Sequence, residues 1–356
     1  MNITTTEAKR RLDKLIAKAR VHLYKPIQVA EILYRDRISK DIDLADLDTY
    51  RRQSTRWRNA VCPRLVGRIP ILNSRYEDQM FDEKLISPDT LVVLGRENKN
   101  KKAIVESYIY HKLKSRLAPL TDVLNKLENI HPKNFKIDDF IKLFTGNAHL
   151  RRSIDKAYEI IVYALFDTLT KHLKATVTLS VDKKKKDLLA DFERFSTLVL
   201  GIDINHLSIT QPARLFRFGT TNAADTGLDI WANFGPAIQI KHISLDATAI
   251  AEVKQNISAD QIVIVCKRVE KKTIQSVITQ LGLQKRIRGF ITEVDLVEWF
   301  GIAVSPKYCD TIGKDVVLAL IKEFKMEFPL ATCSEIDAFI SERKYTQPPA
   351  SSMWGL

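Results

Sequence analysis

Three polar residues in the stretch 227–245 have the types and order of a metal-dependent phosphodiesterase site. Asp229 is followed by Gln239 and, two positions further, by Lys241. Carboxylate and amide oxygens are hard ligands that suit Mg²⁺, and a lysine ammonium can position or activate a water. Together these groups could hydrolyse a phosphodiester bond, which is the chemistry of a nuclease.

The elements that must position these residues are two strands and a tight turn. Apolar residues alternate with polar ones on both sides of the turn Asn233–Pro236. This alternation predicts a hairpin with Asp229, Gln239 and Lys241 on one surface and the isoleucines in a core. The alternative interpretation is an ordinary amphipathic hairpin whose polar edge is solvated.

Two other stretches match parts of the same pattern. Pro88-Asp89 precedes Glu97-Asn98-Lys99, and Asp260 precedes Glu270. We predict a strand at Thr90–Leu94 followed by a basic loop, with no second strand to hold Glu97. Glu270 falls at the start of a predicted helix over 273–281. Since neither stretch has two strands around a turn, only the Asp229 hairpin is expected to assemble a site.

A fourth candidate is Glu159, which lies inside a strongly apolar helix predicted over 156–173. Burying an unpaired carboxylate costs on the order of several kcal/mol, so Glu159 needs a cation, a donor or an edge position. If this helix packs beside the hairpin, Glu159 could reach a metal directly or through water. The alternative is a salt bridge to a lysine or arginine. Glu193 is a rival accessory acid, although its charged neighbours favour a surface position.

The composition indicates a partner that is a polyanion. The 356 residues include 56 Lys and Arg against 43 Asp and Glu, for a net charge of +13. Such a basic protein usually binds nucleic acid, the alternative being a basic enzyme that binds none. No apolar run approaches the roughly 18–20 residues that span a bilayer, and no signal peptide is apparent. The four cysteines form no Cys-x-x-Cys pair, so we expect a reducing cytoplasm.

Changes of composition and hydrophobic periodicity along the chain predict three segments and an α/β (α+β) fold. Residues 1–148 are expected to be a helical, basic DNA-binding region, 149–305 the nuclease core, and 306–356 a helical extension with an extended tail. The core order is helix, strand at 175–181, hairpin, helix and strand. Interleaved aromatic and basic residues suit phosphate and base contacts, the alternative being a solvated helix face with a packed tryptophan. The candidate DNA-binding residues are Arg51, Arg52, Arg56, Trp57, Arg58, Lys99, Lys101 and Lys102.

The stretch 226–242 resembles the metal hairpin of PD-(D/E)xK restriction endonucleases. With the opening residues 7–14 and the helix 153–166, the chain is similar to the HaeII family. This resemblance implies a PD-(D/E)xK core and a type II restriction endonuclease, a Mg²⁺-dependent hydrolase that cleaves double-stranded DNA at purine-GCGC-pyrimidine. It also implies that Asp229 is the metal-ligating acid and Lys241 the catalytic lysine. Gln239 stands where most members have Glu or Asp, which removes a charge and raises the importance of Glu159.

The expected mechanism follows from these assignments. Asp229, the Gln239 side chain, the Ile240 backbone carbonyl, Glu159 and waters would hold Mg²⁺, and Lys241 would orient the attacking water. A palindromic target implies a two-fold homodimer, and a cognate DNA methyltransferase would protect host sites in a restriction-modification system. The alternatives are a structure-selective repair or recombination nuclease and a DNA-binding protein without catalysis.

Overall fold

The computed structural model describes residues 3–19, 23–70, 79–147, 150, 153–217, 229–241, 261–280, 282, 284–328 and 333–356. For Lys241 and Val277 it describes the backbone alone. The chain divides into two compact units. The first contains 1–129, 142–153 and 324–356, and the second contains 130–141 and 154–323. Within the described residues, no helix is both long and apolar enough to cross a membrane.

Helices and strands are both present, as the predicted fold class requires. The described helices of six residues or more are, in chain order, α1 (Thr5–Lys18), α2 (Tyr24–Ile38), α3 (Gln53–Val66), α4 (Pro88–Asn100), α5 (Ile104–Asn129), α6 (Ile137–Thr145), α7 (Ile154–His172), α8 (Lys186–Asp191), α9 (Lys271–Gln280), α10 (Glu293–Ala303), α11 (Lys314–Glu327) and α12 (Cys333–Glu342). The described strands are β1 (Thr176–Ser180), β2 (Ser208–Pro212), β3 (Leu215–Arg217), β4 (Ile230–Ala232), β5 (Pro236–Lys241), β6 (Gln261–Cys266) and β7 (Ile287–Thr292).

The predicted strand Thr90–Leu94 is wrong, because these residues lie within helix α4. Ser87 caps the helix by accepting a hydrogen bond from the Thr90 amide, and Pro88 occupies its first turn. Serine at the N-cap followed by proline is a strong helix start, and here it outweighs the β propensity of the apolar run.

The predicted basic loop after this run is also wrong. Helix α4 continues to Asn100, and a short turn leads into α5. Asn98 is fully buried and holds this turn together, since its side-chain oxygen accepts from the amides of Val105 and Glu106. An asparagine in a basic run is therefore a capping residue for α5.

The C-terminal residues 346–356 are packed within the first unit and do not form a free extended end. Trp354 is fully buried, and its indole N–H donates to Glu97 Oε1 at 3.1 Å. The Thr346 carbonyl accepts from Ser107 Oγ at 2.6 Å. Since 324–356 belong to the first unit, the compact units follow different boundaries from the three predicted segments.

The second unit is built on a five-stranded mixed sheet of order β3-β4-β5-β6-β7. Strands β3, β4 and β5 are antiparallel neighbours, and β5, β6 and β7 are parallel neighbours. Strand β5 is therefore central, and its side chains described from Pro236 to Ile240 are all buried. The predicted hairpin and the strands β6 and β7 are present, whereas the helix predicted near 247–255 lies outside the described residues.

Strand β1 is not part of this sheet, which corrects the predicted core order. It pairs with β2 in a separate two-stranded sheet. Thr176, Thr178 and Ser180 are exposed along one face of β1. A strand with so little apolar surface cannot fill a central position, where both faces are buried.

Helix α7 places the candidate acid against the five-stranded sheet. It packs against β3 and β5 through an apolar stripe that includes Ile160, Ile161 and Leu165, all fully buried. Glu159 lies beside this stripe and is only 5% exposed. The packing predicted for this helix therefore brings its carboxylate to the sheet.

Candidate active site

The hairpin β4–β5 fixes the position of Asp229 relative to Gln239. Ile230 pairs with Ile238 and Trp231 with Ala237, so the register places Asp229 opposite Gln239. The turn closes with a hydrogen bond from the Gly235 amide to the Ala232 carbonyl at 3.1 Å. Gly235 has φ +112°, a conformation that other residues rarely adopt. The turn and strands thus bring together the two residues predicted to share a face.

Asp229 and Gln239 form a direct pair. Gln239 Nε2 donates to Asp229 Oδ2 at 2.7 Å, and the Ile240 amide donates to the same oxygen at 2.7 Å. The opposite amide orientation would set Gln239 Oε1 against the carboxylate, so the observed one is electrostatically required. The carboxylate of Asp229 is therefore oriented by a side chain and by the backbone of the central strand.

The other oxygen of this amide has the property expected of a metal ligand. Gln239 is 3% exposed, and its Oε1 has no hydrogen-bond partner among the described residues. Leaving a buried acceptor unsatisfied costs about 1–3 kcal/mol, which a bound cation would recover. The donor set fits a hard divalent cation, because carboxylate and amide oxygens are its preferred ligands. An amphipathic hairpin with a solvated edge does not fit, since Gln239 is buried.

Glu159 is held beside this pair by two cations. Lys156 Nζ donates to both carboxylate oxygens, at 2.9 and 2.8 Å, and Arg217 Nη1 lies 3.7 Å from Oε2. Burial and the negative charge of Asp229 raise the pKa of Glu159 to about 7, against the lowering effect of Lys156 and Arg217. The predicted alternative, a salt bridge, is therefore present together with a charge interaction with Asp229.

Arg217 and Glu323 complete a buried charge network that the sequence analysis missed. The Arg217 side chain is 2% exposed, and its Nε donates to Glu323 Oε2 at 3.0 Å. Glu323 could have been found, because it shares a helical face with Val316 and Leu320, which are buried on α11. Arg217 gave little signal, since it ends a strand of three residues.

Asp229, Glu159 and the amide of Gln239 are the groups in this network that were predicted to bind a cation. Among the described residues, no three His, Cys, Asp or Glu side chains cluster as a metal site. A cation at Asp229 and Glu159 would therefore need a neutral oxygen such as Gln239 Oε1. The backbone of Ile240 lies next in β5, with its amide already bound to Asp229.

Lys241 ends strand β5 and pairs with Cys266 of β6 through the backbone. Residues two apart on a strand point to the same face, so its position corresponds to that of Gln239. Its side chain lies outside the described part of the structure. The role of Lys241 therefore depends on its register position alone.

Of the competing candidates, the Asp89 set does not assemble a comparable site. Asp89, Glu97 and Lys99 all lie on helix α4, and Lys99 forms an ion pair with Asp36 at 2.8 Å. Asp260 lies outside the described residues. Glu193 is exposed, whereas Glu159 interacts with the Asp229 charge. The geometry therefore favours Glu159 as the accessory acid.

The predicted DNA-binding residues differ in accessibility. Arg51, Arg52 and Arg56 are exposed near the start of α3, and Trp57 is half-buried under the Arg35 guanidinium at 5.5 Å. Arg58 is a correction, because it is fully buried and donates to Gln28 Oε1 at 3.0 Å. A guanidinium bonded in this way stabilises the first unit and is not available to DNA.

The predicted lysines lie at the C-terminal end of α4 and in the turn that follows. Lys99 and Lys101 pair with Asp36 and Glu97, and Lys102 is exposed. These side chains are accessible, although two of them already have acidic partners. Any contact with phosphate would compete with those ion pairs.

Comparisons with known proteins agree over most of the chain. Residues 8–345 match the family model described as HaeII restriction endonuclease. The chain is 42% identical over 340 residues to the type II restriction enzyme HaeII of Haemophilus aegyptius, covering 96% of this chain and 97% of that enzyme. It is also 42% identical over 347 residues to the type II restriction enzyme NgoBI of Neisseria gonorrhoeae, covering 97% and 98%. No solved structure gives a significant match.

Proposed function

Because the chain belongs to the HaeII restriction endonuclease family and is a type II restriction enzyme, we propose that it hydrolyses DNA at the β4–β5 hairpin with Mg²⁺ as cofactor. The observation that carries this proposal is the buried, unsatisfied Oε1 of Gln239 beside the carboxylates of Asp229 and Glu159. A buried oxygen without a hydrogen-bond partner, on a residue that is paired with an acid, is a position where a cation would lower the energy of the fold.

The proposed ligands are Asp229, Gln239 Oε1, the Ile240 backbone carbonyl and Glu159. When bound, Mg²⁺ supplies a positive charge that stabilises the negative charge developing on the phosphate and on the leaving oxygen. The neutral Gln239 gives this site one negative charge fewer than a site with a carboxylate at this position. Glu159 compensates for that charge, provided that its proton leaves.

The surrounding residues prepare these ligands. Gln239 Nε2 and the Ile240 amide fix the Asp229 carboxylate in one orientation. Burial and the charge of Asp229 raise the pKa of Glu159 to about 7, whereas Lys156 and Arg217 favour its ionised form. Lys241, at the register position that follows Gln239 on the same face, would hold and orient the attacking water.

The proposed substrate is double-stranded DNA with the sequence purine-GCGC-pyrimidine, as the family resemblance implies. Identity of 42% to two type II restriction enzymes over nearly their whole lengths supports a shared reaction. A palindromic sequence requires two-fold symmetry, which supports a homodimer. A cognate methyltransferase would protect the same sequence in the bacterial cytoplasm, without any need to bind this enzyme.

We propose that basic residues of the segment 1–148 bind DNA. Arg51, Arg52, Arg56 and Trp57 are the accessible candidates on α3, and Lys99, Lys101 and Lys102 those near the end of α4. Their contribution would be phosphate contact, which is sensitive to salt. The proposed nuclease core is 149–305, followed by the extension 306–356.

Incubating the purified enzyme with plasmid DNA and Mg²⁺ tests the proposal. Discrete fragments bounded by purine-GCGC-pyrimidine are expected, with no cleavage when EDTA replaces Mg²⁺. Plasmid methylated at those sequences should remain intact. Indiscriminate cutting or cutting only at branched DNA would contradict the proposed substrate. Unchanged cleavage in EDTA would contradict the proposed cofactor.

A further inference from the structure

The ammonium of Lys156 is bound to the carboxylate that we propose as a metal ligand. Lys156 Nζ donates to Glu159 Oε1 at 2.9 Å and to Oε2 at 2.8 Å. The two residues lie one turn apart on α7, and the side chain of Glu159 is 7% exposed. An ammonium that bonds both oxygens of a buried carboxylate neutralises it better than an ion pair at the surface does. The oxygens proposed for Mg²⁺ therefore already have a cation of their own.

Of the two cations beside Glu159, Lys156 is the one that can change its partner. The Arg217 side chain is 2% exposed, and its Nε donates to Glu323 at 3.0 Å. The Lys156 side chain is 27% exposed, and within the described residues it donates to Glu159. A lysine is a point charge on a flexible four-carbon stem, whereas a guanidinium is a rigid fork. Movement of Lys156 would therefore leave the pair of Arg217 and Glu323 in place.

The charge of this network favours such a movement when a divalent cation is present. Three acids, Asp229, Glu159 and Glu323, lie together with two bases, Lys156 and Arg217. Their formal charge is −1 when all five are ionised, and a divalent cation would make it +1. Two cations on one carboxylate also repel each other in a partly buried site, where charges are poorly screened. The ammonium would then be stabilised by a new anionic partner outside the network.

A phosphate of the DNA substrate is the anionic partner that the proposed site would bring within reach. Mg²⁺ binds its oxygen ligands at about 2.0–2.1 Å, so oxygens at neighbouring positions around the ion lie about 3 Å apart. Lys156 Nζ is itself 2.8 Å from Glu159 Oε2. A small rotation of the lysine side chain would therefore reach a phosphate oxygen that lies beside Glu159. Lysine binds phosphate in many proteins as a point charge.

We propose that Lys156 exchanges partners: it pairs with Glu159 in the absence of metal, and it binds a phosphate of the DNA when the metal is bound at Glu159. Lys156 is then a DNA-binding residue of the second unit, outside the segment 1–148. This inference rests on the proposed function, since it requires a metal and a phosphate at the hairpin. The exchange also couples the two ligands, because the metal releases the lysine that binds DNA.

Calorimetric titration with Ca²⁺ in the absence of DNA tests the first partner of Lys156. Lys156→Met should bind Ca²⁺ about 10-fold more tightly than the wild type, because the ion no longer displaces an ammonium. Titration at about pH 9 keeps Glu159 ionised, since its pKa is about 7, so that no proton replaces the lysine. A salt bridge that only supports the helix predicts no gain in Ca²⁺ affinity.

Lys171→Met is the matched control for this titration. Lys171 lies on the same helix and pairs with Asp167 Oδ2 at 2.6 Å, one turn away along α7. Positions 156 and 171 are about 22 Å apart along the helix axis, so Lys171→Met should keep the wild-type Ca²⁺ affinity. Circular dichroism should show the same helix content for both variants. If Lys156→Met folds poorly, Lys156→Gln repeats the comparison, because its amide can still donate to Glu159.

DNA binding tests the second partner of Lys156. Fluorescence anisotropy with a duplex gives the slope of log K against log salt concentration, in Ca²⁺ and in EDTA. In Ca²⁺ the slope of Lys156→Met should be smaller in magnitude than that of the wild type by about 0.9, the value for one phosphate. In EDTA the two slopes should agree, since Lys156 then pairs with Glu159. Lys156→Arg keeps the charge and should keep the wild-type slope in both conditions.

Either of two results would overturn the exchange of partners. The first is an equal Ca²⁺ affinity of Lys156→Met and the wild type. The second is a pair of salt slopes that agree in Ca²⁺, or that differ equally in Ca²⁺ and in EDTA. With either result, specific cleavage by the wild type in Mg²⁺ would leave the proposed function intact. A wild type that neither binds Ca²⁺ nor cuts DNA in Mg²⁺ would reject the proposed function itself.

Discussion

At the residue scale, the pairing of Asp229 with Gln239 explains how the neutral side chain that we propose as a metal ligand is held beside a carboxylate. Gln239 donates to the Asp229 carboxylate at 2.7 Å, whereas a glutamate there would repel it. The protein thus avoids two adjacent buried carboxylates in the metal-free state. The proposed metal site would therefore carry less charge and would depend on Glu159 to bind a cation strongly.

Replacing Gln239 tests whether this neutral side chain binds the metal and avoids repulsion with Asp229. Gln239→Glu should lower the melting temperature of the metal-free enzyme, because two carboxylates would meet, and Mg²⁺ should restore it. The Mg²⁺ concentration for half-maximal initial cleavage rate should fall. Gln239→Leu removes the ligand oxygen and should lose most activity while remaining folded. Identical Mg²⁺ titrations for all three proteins would show that Gln239 does not face the metal.

Glu159 should make the stability of the metal-free enzyme depend on pH. The pKa of Glu159 rises on folding from 4.5 to about 7. Between these two pH values the native state therefore binds a proton that the unfolded state has lost. As the pH rises from 5 to 8, the free energy of unfolding of the wild type should therefore fall relative to that of Glu159→Gln, by on the order of 3 kcal/mol. Denaturant unfolding in EDTA measures this difference. Glu193→Gln, at an exposed position, is the control. A Glu159→Gln profile that runs parallel to that of the wild type would contradict the raised pKa.

At the element scale, the hairpin depends on a turn that only glycine adopts without strain. Gly235 has φ +112°, and a Cβ there would meet no atom within 4 Å. Any effect of adding a methyl group must therefore come from the backbone. The turn also sets the register that places Asp229 opposite Gln239.

Gly235→Ala should destabilise the enzyme by about 1–3 kcal/mol and reduce cleavage, because the strained turn would shift the hairpin register. Thermal melting and initial cleavage rates measure the two effects. Gly289→Ala in β7 is the control, since its Cβ also meets open space but its φ is not positive. Equal behaviour of the two variants would contradict the role of the turn.

Period and turn chemistry were sufficient to predict the hairpin and the strands β6 and β7. They could not predict that β1 leaves the main sheet, because its pairing with β2 depends on residues distant in sequence. The strand expected at Thr90–Leu94 is wrong because the helix-starting residues Ser87 and Pro88 outweigh the β propensity of the apolar run that follows them. The burial of Arg58 could not be predicted, since its partner Gln28 lies on another helix. Lys156 could have been found from its helical spacing to Glu159.

At the scale of the whole molecule, the net charge of +13 provides long-range attraction to DNA. Which of the basic side chains contact DNA depends on where they lie on the surface. Arg51, Arg52 and Arg56 are exposed together around the start of α3. Arg10, Lys14 and Lys18 form an equally charged exposed set on α1. The two sets allow contact and overall charge to be separated.

Replacing Arg51, Arg52 and Arg56 by alanine should weaken DNA binding and flatten its salt dependence. The slope of log K against log salt concentration should decrease by about 0.9 for each phosphate that the protein no longer neutralises. Fluorescence anisotropy with a duplex, in Ca²⁺ or EDTA, measures the slope. The alanine triple variant of Arg10, Lys14 and Lys18 should change it less. Equal changes in the two variants would mean that net charge alone is responsible.

Cleavage of plasmid DNA by Asp229→Asn, beside Asp89→Asn, tests the position of the active site most directly. Asp229→Asn removes the charge that Gln239 and the Ile240 amide orient, so it should bind the duplex and produce no fragments at any Mg²⁺ concentration. Asp89→Asn changes only the first turn of α4 and should cut like the wild type. Retained cleavage by Asp229→Asn, with loss in Asp89→Asn, would contradict the assignment of the active site to the hairpin.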